Sequence, residues 1–235
     1  MCEGLLPMKA ATLALPVLCG LLGLILGSFL NVVIHRVPRQ ESIVSPRSVL
    51  RGRSLMVELA CGALLAGAAL RFGLDWTLPA FVILLAGLLA LACTDFEHYL
   101  LPKRIVYPVL GMVGGLLFLA AAITGAWDRL AVAIACAAGW FAVFFAINLV
   151  DSRMLGFGDV RLAPVLGLGL GWLGVRYVVL GFLVANLIGA VIGLGLMAAK
   201  RAQRNSRVPY GVFLALGAYV AIYAGPWLPQ RMPGT

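Results

Sequence analysis

Charge is scarce in this chain. Asp, Glu, Lys and Arg make up only 11% of its 235 residues, against 63% hydrophobic, whereas soluble domains carry roughly 25% charged residues. That scarcity excludes an ordinary soluble globular domain. Histidine is scarcer still, with His35 and His98 in separate polar stretches, which rules out a zinc site of the His-Glu-x-x-His type. No Gly-x-Ser-x-Gly elbow occurs, so the serine hydrolase solution is removed as well. No strand pattern is evident, and therefore no Gly-rich nucleotide loop follows one. The five cysteines, Cys2, Cys19, Cys61, Cys93 and Cys136, include no Cys-x-x-Cys pair. Four of them lie in or near apolar runs and read as packing residues, not disulfides or metal ligands. A net charge of +9 would suggest nucleic acid in a soluble chain. Here the basic residues sit in short segments between apolar runs, where orientation in a membrane accounts for them and no nucleic-acid partner is expected.

What the chain has in abundance is apolar sequence. A spanning helix needs about 20 such residues, and eight stretches qualify as candidates: roughly 11–34, 56–72, 77–94, 105–124, 129–149, 160–174, 176–199 and 209–228. The expected fold is all-α, a polytopic membrane bundle of about eight transmembrane helices forming a single membrane domain over 1–235. Lys9 before an apolar run raises the idea of a cleaved signal peptide, but Ile25-Leu26-Gly27-Ser28-Phe29 runs on without a cleavage site, so 11–34 is read as a span. The sixth stretch is short, with an acidic start and Gly167, Gly169 and Gly171. It is expected to begin below the membrane surface, in a wet or protein-lined cavity. The aqueous parts are short, the longest being the loop at 35–55. Its arginines are expected to meet anionic lipid before any substrate, each contributing on the order of 1 kcal/mol.

The basic residues are unevenly shared. Thirteen of the 18 Lys and Arg fall on the side that holds the 35–55 loop, Lys103, Arg104, Arg153, Arg161 and the 200–207 segment, and five fall on the other. The richer side is therefore expected to be cytoplasmic.

Two acids occupy that same side. Asp95 ends one apolar run, in Thr94-Asp95-Phe96-Glu97-His98-Tyr99-Leu100-Leu101-Pro102, and Asp159 opens another, in Gly156-Phe157-Gly158-Asp159-Val160-Arg161-Leu162. An ionised Asp near a bilayer centre costs roughly 2.5–3.5 kcal/mol, so an acid there points to function. Two spans lie between them, so the chain crosses and returns, and the two carboxyls emerge on one face. Paired carboxyls are the constellation of aspartyl hydrolysis, one activating water while its neighbour stays protonated and polarises the carbonyl. Position alone leaves open that each acid only caps the helix that follows or sits solvated in a loop. Gly156 and Gly158 would let the backbone approach an extended substrate. Of the other acids, Glu3, Glu41, Asp75 and Asp128 are expected in loops, Asp151 at a helix end, and Glu97 on another face from Asp95. Glu58, opening the second span, is expected either to support the site or to pair with a loop arginine.

Taken together, four blocks resemble the type IV prepilin peptidase family, membrane aspartyl proteases of the Gly-x-Gly-Asp class. They are Gly27-Ser28-Phe29-Leu30-Asn31-Val32-Val33-Ile34-His35-Arg36, the Asp95 to Pro102 block, the Gly156 to Leu162 block, and Val208-Pro209-Tyr210-Gly211-Val212-Phe213-Leu214-Ala215-Leu216-Gly217. The resemblance implies that Asp95 and Asp159 are the catalytic pair. It also implies substrates that are type IV prepilins or pseudopilins, cut after a glycine that follows a basic leader, at the cytoplasmic face of a bacterial inner membrane. Many members also methylate the new N-terminus with S-adenosylmethionine and hold zinc through Cys-x-x-Cys pairs in the first loop. This chain departs there, reading Arg51-Gly52-Arg53-Ser54 with no cysteine. Zinc is accordingly not expected, and proteolysis needs no cofactor. S-adenosylmethionine is expected only if methyl transfer is retained, with Asn31, Arg51 and Glu58 as its supporting residues and Pro209 and Gly211 near the dyad. The reading from a different class is a proton-coupled transporter using the same acids, and a third is an inactive peptidase-like scaffold. No inverted repeat is apparent, and both acids lie near one face, not at mid-membrane. The oligomeric state is not readable from the sequence.

Overall fold

A computed structural model describes residues 5–36, 55–98, 101–150, 156–198 and 209–225. Among these the chain is helical, with eight α-helices and no strand: α1 (Leu5–Arg36), α2 (Leu55–Phe72), α3 (Leu78–His98), α4 (Lys103–Thr124), α5 (Trp127–Val150), α6 (Phe157–Leu173), α7 (Val175–Ala198) and α8 (Tyr210–Ala224). Six of them, α1 to α5 and α7, hold stretches long and apolar enough to cross a membrane, and α6 and α8 are shorter, at 17 and 15 residues. With no water in the hydrocarbon to satisfy a backbone, continuous helices are the expected solution for such runs. The chain is a multi-pass membrane protein.

Two differences from the sequence expectation matter. The α3 helix runs on to His98, so Asp95 is inside its last turn and not beyond its end. Asp128, expected in a loop, is the second residue of α5. Asp75 does lie in the turn before α3, accepting the Thr77 N–H at 2.8 Å.

Small residues decide how the helices pair, since lipid offers no hydrophobic force between helices and close backbone approach supplies dispersion contacts instead. On α1, Gly20, Gly23 and Gly27 face Ala66, Gly62 and Glu58 of α2 in descending order, which makes an antiparallel hairpin. A Cβ on Gly27 would fall 2.7 Å from the Glu58 Cα. The pair α5–α6 is set the same way, with Gly167 on Ala137 and Gly171 on Ala133, and so is α7–α8, with Gly181 on Gly217 and Gly189 on Phe213. These pairs surround α3, which touches α1, α2, α4, α6 and α8. The most buried stretches, on α3 and α6, form the centre, and the outward faces of α1, α5 and α7 keep large apolar side chains such as Leu21, Phe141 and Leu187 exposed for lipid.

The alternation of direction has one outcome for the site. The C-termini of α1, α3, α5 and α7 and the N-termini of α2, α4, α6 and α8 share one end of the bundle.

Candidate active site

At that end lie the buried acids. Asp95 on α3 is 6% exposed and Asp159 on α6 is 8% exposed. Asp159 sits in the first turn of α6, whose N-cap is Gly156 with extended backbone and no side-chain cap. Its carboxyl turns back over the cap: Oδ2 lies 3.3 Å from where a Gly156 Cβ would stand, and the Gly156 amide points toward it. An acid in a first turn is favoured by the unsatisfied amides and positive dipole end there. A capping role for Asp159 is thus real. It does not account for Asp95, which stands near enough for its charge to act on Asp159.

Asp95 is held from across the bundle. The amides of Gly211 and Val212, in the first turn of α8, face its carboxyl. The N-cap of α8, Pro209, brings no side-chain hydrogen bond, so a carboxylate from α3 meets the helix dipole that would otherwise be uncapped. One oxygen remains over: Asp95 Oδ2 is buried with no hydrogen-bond partner. Buried polar atoms are rarely left so, and an orphan at a site asks for a functional reason. Beside Asp95, Thr94 is fully buried and its hydroxyl donates to the Ala90 carbonyl at 2.7 Å. Glu97 points elsewhere, as expected, with a side chain 42% exposed and 3.9 Å from His98 Nδ1.

Glycines set how near the three helix ends can come. A Cβ at Gly211 would stand 2.8 Å from Asp95 Oδ2, and one at Gly158 would stand 2.9 Å from the Cβ of Leu101. Leu101 is the shared wedge, since its Cδ1 also lies 3.2 Å from the Gly211 position. It is buried, and it seats the ends of α6 and α8 against the segment that leaves α3.

The structure places Asp95, Asp159, Gly156, Gly158, Pro209 and Gly211 at one end of the bundle, and sequence reasoning gave no role to Leu101, Val212 or Tyr210 beside them. Tyr210 opens α8, lies within the electrostatic reach of Asp159, and its hydroxyl donates to Asn186 Oδ1 of α7 at 3.3 Å. The signal for these residues was their place in the quoted blocks, next to Pro102 and Gly211. Asn31 and Glu58, each 5% exposed, are buried at the same end on the α1–α2 hairpin, both engaged in polar interactions. Arg51 and the rest of residues 37–54 lie outside the described residues.

The sequence pattern of the type IV leader peptidase family matches residues 82–194, which include both aspartates, and that of the bacterial peptidase A24 N-terminal domain matches residues 21–52. A prepilin leader peptidase/N-methyltransferase of Stutzerimonas stutzeri is 30% identical, covering 89% of this chain and 91% of that protein. Proteins of the same name from Pseudomonas aeruginosa and Xanthomonas campestris pv. campestris are 28% and 27% identical, each covering about nine-tenths of both chains. No solved structure matches the chain. With a relative at that identity over nearly its whole length, and a family pattern that takes in α3 through α7, this chain belongs to the type IV leader peptidase family.

Proposed function

We propose that this chain is a prepilin leader peptidase of the aspartyl type, in which Asp95 and Asp159 act as one unit. The observation that carries the reading is two buried carboxyls, from α3 and α6, at one end of the bundle and within electrostatic reach of each other, one with an unpartnered oxygen. Two carboxyls in one low-dielectric site do not both ionise cheaply, so they hold a single proton between them. A water bound by the pair loses a proton to the charged carboxylate and attacks the scissile carbonyl, while the protonated partner gives its proton to the carbonyl oxygen. The resulting tetrahedral diol then collapses, the amide nitrogen takes a proton from the dyad, and the peptide bond breaks.

The substrate class follows from the family and from the relatives' names: type IV prepilins or pseudopilins, whose apolar helix lies in the bilayer beside the enzyme. Cleavage after a glycine, at the cytoplasmic face of a bacterial inner membrane, is supported by thirteen of the 18 basic residues falling on the side of the dyad. Amino-terminal methylation belongs to the same proposal. Asn31 and Glu58 are buried polar side chains at the dyad end of the bundle, and their oxygens are acceptors suited to hydroxyl and ammonium groups. S-adenosylmethionine, when bound, would supply the methyl group, and these two residues would hold it beside the newly freed amine. Zinc has no part in the reading, because the first loop lacks the thiols it would need.

The test is mass spectrometry of a prepilin incubated with the purified enzyme and S-adenosylmethionine. Loss of the leader after glycine is expected, with one methyl group added to the new N-terminus. An uncut precursor would overturn the peptidase reading, and a cut but unmethylated product would overturn only the methylation part.

A further inference from the structure

At the end of the bundle away from the dyad, two arginines converge on one buried phenol. Tyr177, near the start of α7, is 5% exposed, and Gly225 packs so closely on its ring that a Cβ there would collide with it. Its hydroxyl oxygen is therefore fixed in place. Arg71, in the last turn of α2, donates Nη2–H to that oxygen at 3.4 Å, and Arg176 donates Nη2–H to it at 3.3 Å. Arg71 is further anchored by Nε–H donation to the Ile222 carbonyl at 2.9 Å, at the negative end of α8. The guanidinium of Arg176 lies over the Tyr177 ring, 5.0 Å from its centroid.

The negative ends of α2, α6 and α8 favour cations here, but none of them supplies an ionic partner for a guanidinium. A phenol oxygen is a weak, neutral acceptor and cannot offset the repulsion between two guanidiniums that share it. No carboxylate among the described residues pairs with either arginine; Asp75, the acid nearest in sequence to Arg71, is engaged with the Thr77 N–H. Arg71 is half-buried and Arg176 is exposed, so their remaining N–H groups can reach a ligand from outside. Guanidinium forks match the oxygens of a phosphate or a carboxylate, and at a membrane surface the abundant anion of this kind is a lipid phosphate.

We propose that Arg71 and Arg176 form a phosphate-oxyanion site, and that its occupant in the membrane is the headgroup phosphate of an anionic phospholipid. The location favours a lipid over a soluble phosphate: the site ends two spanning helices, α2 and α7, with the exposed Trp76 close by in sequence, at the level where aromatic and basic side chains meet headgroups. Bound there, the lipid would tie α2, α7 and α8 together at the end remote from the dyad.

The experiment uses the full chain in neutral detergent, with native mass spectrometry and thermal unfolding in the presence of phosphatidylglycerol, phosphatidylcholine or inorganic phosphate. The wild type is expected to retain phosphatidylglycerol and to melt at a higher temperature with it than with phosphatidylcholine. Arg176→Gln should bind phosphatidylglycerol roughly fivefold more weakly, the loss of one interfacial charge. It should still fold, since Arg176 is exposed and anchors no backbone. Arg129→Gln, a cation at the same end but outside the cluster, should bind as the wild type does. Equal retention by the wild type and Arg176→Gln, or no preference for phosphatidylglycerol together with no stabilisation by inorganic phosphate, would overturn the site. Stabilisation by inorganic phosphate, lost in Arg176→Gln and without any preference for the lipid, would overturn the lipid as its occupant.

Discussion

Replacing Gly211 by Ala should separate catalysis from stability. The new Cβ would stand 2.8 Å from Asp95 Oδ2, 3.3 Å from its Cγ and 3.2 Å from Leu101 Cδ1. Ordinary contacts are several tenths of an ångström longer, and the wedge formed by Leu101 closes the way out on one side. The carboxyl must move, by roughly half an ångström to one ångström, away from the amides of α8. A displacement of that order costs about 10²-fold in rate when it involves a reacting group, or about 2.7 kcal/mol of transition-state stabilisation. The fold pays much less, because Ala in a helix gains about 0.5–1 kcal/mol over Gly through the unfolded state and offsets part of the strain. The assay is kcat/KM for prepilin cleavage together with Tm, with Gly111→Ala as control, a helical glycine whose Cβ would meet nothing within 4 Å. Expected is a loss of about two orders of magnitude in cleavage for Gly211→Ala at nearly unchanged Tm, and unchanged cleavage for the control. A Gly211→Ala enzyme that cleaves as fast as the wild type would refute the claim that Asp95 is seated on the α8 terminus.

Other perturbations read other parts of the structure. Leu101→Ala removes the wedge under α6 and α8 and should cost about 2–4 kcal/mol of stability, with cleavage falling by tenfold or more; denaturation and kinetics on one preparation check both. Gly27→Ala puts a Cβ 2.7 Å from the Glu58 Cα, where neither backbone can give, and should cost about 1–3 kcal/mol as overpacking, read as a lower Tm. Tyr223→Phe deletes the 2.6 Å hydrogen bond to the Leu64 carbonyl, far from the dyad. Stability should fall by about 1 kcal/mol with cleavage unchanged, and a fall in cleavage at the assay temperature would mean that the two ends of the bundle are coupled.

The helices were largely legible in the sequence because a spanning segment must be continuously apolar, and that property is written locally. The end of α3 was misplaced for the same reason. Hydropathy stops at Asp95, but a helix can continue through Phe96, Glu97 and His98 with its polar side chains turned out. Pairing Asp95 with Asp159 needed only the count of crossings between them. What sequence could not supply was the third member of the site, the start of α8, which reaches Asp95 from more than a hundred residues away. Gly211 was quoted for its block, yet its reason, room for a backbone beside a carboxyl, appears only with α8 in place. Leu101 looked like one more apolar residue before a proline, since nothing local marks a side chain that separates two helix ends. The arginine pair at the far end was invisible for a like reason: Arg71 and Arg176 are two of the five basic residues on the poorer side, far apart in sequence, and only the return of α7 beside α2 and α8 brings them to one oxygen.

The central claim is that Asp95 and Asp159 work as one unit, and its most direct measurement is residual prepilin cleavage by Asp95→Asn, Asp159→Asn and the double variant, each shown to be folded. Groups that act together are grossly non-additive when removed. The account predicts that each single variant falls to the same low residual rate and that the double variant falls no further. Substantial cleavage by either single variant, or losses that multiply in the double, would contradict it.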